Sequence, residues 1–208
     1  MTIYNTPVET TLVPLSQLDP SSLDHLAELH SAVMHTLLAD LGIPVVRRYY
    51  EIAQTNTSVL GFCAVSASGE INGWAIGSPD PAALNASLSK SHPGWFVGQM
   101  LRLAFTRPGA LVDLLRSLFS ASEANLLSPG QIELTYMGVA SHAQGQGLGK
   151  TMLAAFMETA RLAGYTSIAI SAETSNIATI NLHTRAGFQI TKTFREGRFE
   201  RCRMECSL

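Results

Sequence analysis

Residues 143–153 read AQGQGLGKTML, a glycine-rich run of the kind that grips phosphate. Spacing separates three such loops. A P-loop needs G-x-x-x-x-G-K-[ST], so that enough successive N–H groups wrap a β-phosphate before the lysine reaches it. Five residues before Gly149 stands Gln144, and the glycine comes one residue late at Gly145. A dinucleotide fingerprint G-x-G-x-x-G beginning at Gly145 needs glycine where the chain has Lys150, and it belongs near the start of a βαβ unit, not two-thirds of the way along. The remaining pattern, Q/R-x-x-G-x-G/A, is met by Gln144, Gly147 and Gly149. It calls for a strand before it and a helix after it.

Both neighbours are legible. QIELTYMGVAS (131–141) is apolar and β-branched without helical spacing, and Ser128-Pro129-Gly130 marks a turn at its start. After the loop, Leu148, Met152, Ala155, Phe156, Ala160 and Ala163 recur at three- and four-residue steps, and Gly164 supplies a stop. The loop therefore opens a helix. Free N–H groups and the positive end of the helix dipole make an anion site there, and small residues let a pyrophosphate approach the backbone.

A second motif follows. YTSIAISAE (165–173) reads as a strand, and SNIATINLHTRAGFQ carries N-x-x-A-x-x-L with Gly187 and Phe188 downstream. On these two motifs the sequence resembles the GNAT family of N-acetyltransferases, with the motif-bearing part covering about residues 130–208. The resemblance implies an α/β fold with a mixed sheet of about seven strands flanked by helices. It also implies acetyl-CoA as co-substrate, with its pyrophosphate held by Gln144, Gly145, Gln146, Gly147, Leu148, Gly149, Lys150 and Thr151. Met137, Gly138 and Val139 would meet the pantetheine arm through their backbone, on a strand splayed from its neighbour, with Asn176 also on the cofactor. Acetyl would pass to a primary amine by direct attack, without metal or covalent intermediate. Lys150 and Thr151 are on that reading phosphate-loop neighbours and not a nucleotide–magnesium pair.

Composition is that of a folded, globular chain. The 208 residues suit one domain over 1–208, are 46% hydrophobic and 14% charged, and carry a formal charge of -2 that gives no electrostatic case for nucleic acid. The segment MTIYNTPVETT is unlike a secretory signal, and no apolar run reaches the ~18 residues of a membrane span. Three cysteines without a C-x-x-C pair favour a reducing cytoplasm. Cys202 and Cys206 fall on one strand face, about 13 Å apart at strand rise and beyond disulfide reach.

Upstream, Thr10 to Leu15 suits a first strand. Ser21 with Asp24 resembles a capping box, and Leu23, Leu26, Leu29, Val33 and Leu37 give one long helix an apolar face. Val45 to Gln54 suits a second helix. His25, His30 and His35 are spread around the first helix and make no metal set. SVLGFCAVS (58–66) and INGWAIGS (71–78) form a hairpin turning at Ser68-Gly69, and FQITKTFREGRFERCRMEC a terminal one turning near Glu196-Gly197. Arg195, Arg198, Arg201 and Arg203 of that hairpin are read as a solvated strand face, or alternatively as contacts to a ribose phosphate or an acidic acceptor. Residues 82–127 form a helical insertion between strands three and four, broken at Pro108-Gly109. Its Trp95, Phe96, Met100, Leu101, Phe105, Leu111, Leu114, Leu115, Leu118 and Phe119 need cover. The expectation is a wall over the acceptor end of the cleft, with Arg102, Arg107 and Arg116 toward the acceptor; a homodimer face or a membrane surface are the other destinations.

Amine acetylation needs a deprotonated nucleophile, a polarised carbonyl and a proton for the departing thiolate. By resemblance, Glu133 takes the amine proton, usually through water; the alternative is a strand-end surface glutamate. Period-two alternation gives it the side-chain direction of Met137 and turns Tyr136 away. Seven residues after Asn176, where the family commonly has a tyrosine beside the sulfur, stands His183. It can serve as N–H donor or imidazolium acid, or it can pack under the pantetheine; Tyr136 and Tyr165 are fallback donors. The substitution also leaves open a non-catalytic acyl-CoA sensor of the same fold.

Overall fold

Turn residues and apolar alternation divide the chain into seven strands and seven α-helices among the described residues, which in this computed structural model are 10–109, 112 and 127–208. In order they are β1 (Thr10–Pro14), α1 (Pro20–Val33), α2 (Leu37–Asp40), α3 (Ile43–Thr55), β2 (Leu60–Ser66), β3 (Ile71–Ser78), α4 (Pro81–Ser91), α5 (Pro93–Thr106), β4 (Gln131–Val139), α6 (Leu148–Leu162), β5 (Ser167–Glu173), α7 (Ile177–Arg185), β6 (Gln189–Glu196) and β7 (Phe199–Ser207). They form one seven-stranded sheet of order β1-β2-β3-β4-β5-β7-β6. Every neighbouring pair is antiparallel except β4 and β5. This is the mixed α/β sheet that the resemblance implied.

Two cores lie on its two faces. On one, Leu26, Val45, Val46, Tyr49, Tyr50, Leu84 and Leu88 of α1, α3 and α4 cover Cys63, Trp74 and Ile76. On the other, Met152, Leu153, Phe156 and Ala160 of α6 cover Ile132, Leu134, Ile168 and Ile170. Phe156 and Met152 are wholly buried, and burying side chains of this size stabilises by about 1.5–3 kcal/mol each.

Several local expectations are corrected. The first helix ends at Val33, and Met34 is extended, so Leu37 begins the separate short helix α2 under a Thr36 cap. The α1 cap is Asp19, whose carboxylate accepts from Ser22 N, with Pro20 at the first turn. Asp24, expected to complete a box with Ser21, instead pairs with Arg47 of α3. The inserted segment does open as helices between β3 and β4, but its first break is at His92-Pro93. Leu103 of α5 is buried, whereas Val97, Leu101 and Phe105 stay exposed. Leu111, Leu114, Leu115, Arg116, Leu118 and Phe119 lie outside the described residues.

The consequential departure is in β4. Ile76 pairs with Tyr136 but Gly77 pairs with Leu134, so Thr135 is an extra residue in the ladder. Such a bulge reverses the alternation beyond it. Ile132, Leu134, Met137 and Val139 all pack toward α6, while Tyr136 packs on the opposite core with α1 and α3. Glu133, between Ile132 and Leu134, therefore shares the direction of Tyr136 and not of Met137, the reverse of strict period-two counting.

Candidate active site

The sheet forks between β4 and β5. Their parallel ladder runs only through Gln131–Ser167, Ile132–Ile168 and Glu133–Ala169, although β5 goes on pairing with β7 as far as Glu173. Beyond Glu133 the strands part around a cleft of about 530 Å³. One wall is β4 from Leu134 to Val139, the other β5 from Ile170 to Glu173 with Asn176, Thr179, Leu182 and His183.

At one end lies the glycine-rich loop. Gly145 and Gly147 sit at φ of 75° and 83°, a region costly for any residue with a Cβ, and a Cβ at either would meet nothing within 4 Å. Gly147 is the N-cap of α6 with no side-chain cap, and Thr151 is the first residue whose N–H finds a carbonyl one turn back, that of Gly147. The N–H groups of Leu148, Gly149 and Lys150 therefore open the helix without an intrahelical acceptor. Small residues, open space and outward N–H groups fit a diphosphate.

Of the residues expected to hold the co-substrate, Met137, Gly138, Val139, Gln144, Gly145, Gly147, Leu148, Gly149 and Asn176 line the cleft. Gln146, Lys150 and Thr151 do not; the Gln146 amide donates to His142 O at 3.1 Å, and Lys150 and Thr151 are exposed. Gln144 Nε2 donates to Val139 O at 3.0 Å, tying loop to strand and engaging one of the carbonyls expected to face the pantetheine. Gly138 lies against Trp74, whose ring fills the place of a Cβ. Asn176 caps α7 by accepting from Thr179 N at 3.1 Å.

His183 is 3% exposed and lines the cleft. Its Nδ1 is 2.8 Å from Thr179 O, and a carbonyl only accepts, so Nδ1 carries the proton. In the neutral ring Nε2 is then a bare lone pair, and it is buried without a partner. Burial lowers the imidazole pKa, with the Thr179 carbonyl opposing. Neutral His183 therefore offers an acceptor to the cleft and no N–H.

Glu133 is 8% exposed and does not itself line the cleft. Arg203 of β7 donates from Nη1 to its Oε2 at 2.8 Å, and Ser171 Oγ lies 3.4 Å from its Oε1. Burial raises its pKa, Arg203 lowers it, and the charge of Glu196 raises it further. Of the arginines read as a solvated face, Arg195 and Arg198 are exposed, but Arg203 and Arg201 are inward ion pairs: Arg203 is 2% exposed, and Arg201 lies 2.6 Å from Glu196 at the cleft wall. Tyr165 lies outside the cleft.

Sequence reasoning missed Val33, Met34, His35 and Thr36, which close the cleft from the α1–α2 link, and Arg201 opposite. Thr36, accepting from Ala39 N at 3.2 Å, was a findable helix cap. No inserted residue from 81 to 109 lines the cleft, so the described part of the insertion is not the expected acceptor wall; α4 packs on α3 and β3 instead. Among the described residues no three His, Cys, Asp or Glu converge as metal ligands would, and no helix is long and apolar enough to cross a membrane.

Comparison with known proteins agrees with this geometry. Among curated sequences the chain finds no match. Solved structures share the fold. The ribosomal-protein-S18-alanine N-acetyltransferase of Escherichia coli superposes with a TM-score of 0.59 at 14% identity, over 95% of this chain and 93% of that one. A GCN5-related N-acetyltransferase from Kribbella flavida gives 0.61 at 17%, over 98% and 100%. YncA of Salmonella typhimurium, solved with its cofactor acetyl-CoA, gives 0.60 at 17%, over 96% and 94%. The model of the acetyltransferase (GNAT) family matches residues 26–188. The chain belongs to that family: it is an N-acetyltransferase whose co-substrate is acetyl-CoA.

Proposed function

We propose that the protein transfers acetyl from acetyl-CoA to a primary amine by direct attack, with the two substrates meeting in the fork from opposite faces of the sheet. The observation that carries this reading is the fork itself: a parallel ladder that stops at Glu133 and opens onto the uncapped start of α6. The co-substrate supplies the thioester carbonyl that the amine attacks. Its diphosphate belongs at Gln144 to Gly149, and its arm along Met137 to Val139, on the face covered by α6. The amine enters from the other face, beside Thr36 and Tyr136.

Glu133 faces that second side, and we assign it the amine proton, carried through solvent because the carboxylate is set back from the cleft. His183 accepts a hydrogen bond at Nε2, and the departing thiolate takes its proton from solvent. The lining of the acceptor end mixes Tyr136, Thr36 and His35 with Arg201, which is paired to Glu196. We read the chain as one domain, with 130–208 carrying the co-substrate and 82–127 inserted, and its three free thiols as those of a cytoplasmic protein.

The test is a library of amines, including amino sugars, polyamines and peptide N-termini, with CoA release measured in the presence of purified protein and acetyl-CoA. The expected result is release that depends on an amine. Acetyl-CoA binding with no response to any amine would overturn the catalytic reading and leave an acyl-CoA-binding protein.

A further inference from the structure

We propose that Arg203 is a positioning residue that acts through Glu133, holding its carboxylate ionised and in place at the last rung before the fork; this rests on the assignment of Glu133 as the proton acceptor. The geometry spans three strands. Glu133 on β4 stands opposite Ala169 on β5, and Ser171, two residues along β5 on the same face, stands opposite Arg203 on β7. Ala169 and Ser171 are small, so the arginine reaches across β5 to β4. Its Nη1 donates to Glu133 Oε2 at 2.8 Å and to Ser171 Oγ at 3.0 Å. The Ser171 hydroxyl is left to donate to Glu133 Oε1. Both carboxylate oxygens are thus held.

An ionised carboxylate this buried is costly without a partner, and removing one member of a buried pair leaves the other uncompensated. The surroundings do little to replace Arg203. The groups acting on Glu133 and its neighbours are the Glu196 carboxylate of β6, the Tyr49 hydroxyl of α3, the Tyr136 hydroxyl of β4 and Ser171 of β5. Of these Glu196 is anionic, and the nearby cation Arg201 is itself paired with Glu196. A base that must be charged to accept a proton therefore depends on the one guanidinium that touches it. Burial already pushes the Glu133 carboxyl up, so loss of Arg203 moves its titration toward working pH.

The experiment compares kcat as a function of pH, with an amine found in the library, for the wild type, Arg203→Gln, Arg203→Lys and Glu133→Gln. Gln keeps a hydrogen-bond donor and drops the charge. An opposite charge at contact lowers a carboxyl pKa by about 1–3 units, so Arg203→Gln should move the acidic limb up by ~1–3 pH units while the plateau above it stays within a few-fold of wild type. An unmoved limb in folded Arg203→Gln, beside a Glu133→Gln protein that has lost activity, overturns the proposal and leaves the base assignment standing. Unchanged activity and pH profile in Glu133→Gln sinks the base assignment, and the proposal with it. If Arg203→Gln does not fold, Arg203→Lys decides: its ammonium ends one bond short of where Nη1 stands, so the contact with Oε2 lengthens and a smaller shift of the same sign is expected, and a profile identical to wild type overturns the proposal.

Discussion

The two ends of the cleft are made of different material. The end at Gly145 to Gly149 is backbone: two glycines at positive φ, a helix start without a side-chain cap, and space where Cβ atoms would stand. The other end, Tyr136, Thr36 and Arg201 with Glu133 set behind them, is side chain, drawn from β4, β7 and the α1–α2 link, with the Arg201–Glu196 and Arg203–Glu133 ion pairs beside it. A backbone site requires particular residues at fixed spacing, whereas a side-chain site requires only that distant positions converge. The first can be varied little without losing phosphate; the second can be rebuilt for another acceptor on the same sheet.

The largest effect that would break this contrast is at Gly147. A β-branched residue at φ 83° is strained by about 1–3 kcal/mol, and its side chain would occupy the open space beside the loop. Gly147→Val should weaken acetyl-CoA binding by ~10- to 100-fold, because the free loop relaxes out of the strained conformation and binding must restore it, while the far side of the fork is untouched. Gly149→Ala is the control, because its methyl would meet Leu182 and Val139 at 3.7 and 3.8 Å, ordinary contact, in a helical conformation that alanine prefers. Calorimetric titration reads both. Wild-type affinity in a folded Gly147→Val protein would mean that the loop is not the anion site.

This contrast also explains what the sequence could and could not tell. Gly147 and Gly149 matter through local backbone, and the Gln144 amide ties to a strand only five residues back, so short-range spacing located the loop. Glu133 stood out as a candidate, but its direction relative to Met137 was misread, because one extra residue at Thr135 flips the strand and nothing in QIELTYMGV marks a bulge. The partner of Glu133 is 70 residues away on β7, and Arg203 alternates with Arg201 in a run that looks like a charged surface strand. Both turn inward because β7 is an interior strand between β5 and β6 and carboxylates, Glu133 and Glu196, stand on the face they share. The cleft residues at 33–36 were hidden for a simpler reason. Leu37 continued the apolar spacing of α1, and periodicity does not register the extended Met34 that ends the helix.

A middle-sized effect sharpens the contrast at His183, where a side chain stands on the co-substrate's wall. The ring is neutral with its proton on Nδ1. Were it an imidazolium acid, kcat would fall as pH rises through the ordinary histidine range near 6.5. Burial moves that titration to the acid side of 6.5, so wild-type kcat should show no His183 midpoint at or above that pH. His183→Phe keeps the edge contact with Phe188 and should lower kcat by no more than ~10-fold, below the 10²–10⁴ typical of an acid or base. The same shift has a stability sign. The unfolded chain takes up this proton near 6.5 and the folded chain only at lower pH, so the contribution is full above 6.5 and is lost as pH falls. The difference in Tm between the two proteins should be constant above pH 6.5 and change only on the acid side.

The smallest effect concerns how the acceptor end is held together. Arg198 Nη2 at the β6–β7 turn lies 2.8 Å from Asp40 Oδ2 at the end of α2, and the two side chains are 49% and 24% exposed. The pair joins the two elements that flank the amine's entry, α2 just after Thr36 and β7 just before Arg201. An ion pair this open to water contributes about 0–1 kcal/mol to stability. Asp40→Asn should therefore lower Tm by no more than ~4 °C for a chain of this size. What it should change is the spacing of the entry, so the KM for an amine from the library rises by up to ~5-fold, the equivalent of about 1 kcal/mol. The Kd for acetyl-CoA should not move, because the 144–149 loop and the α6 start share no residue with this pair. A KM that holds while the acetyl-CoA Kd shifts would reverse the assignment of the two ends, since a contact on the amine's side would then govern the co-substrate's.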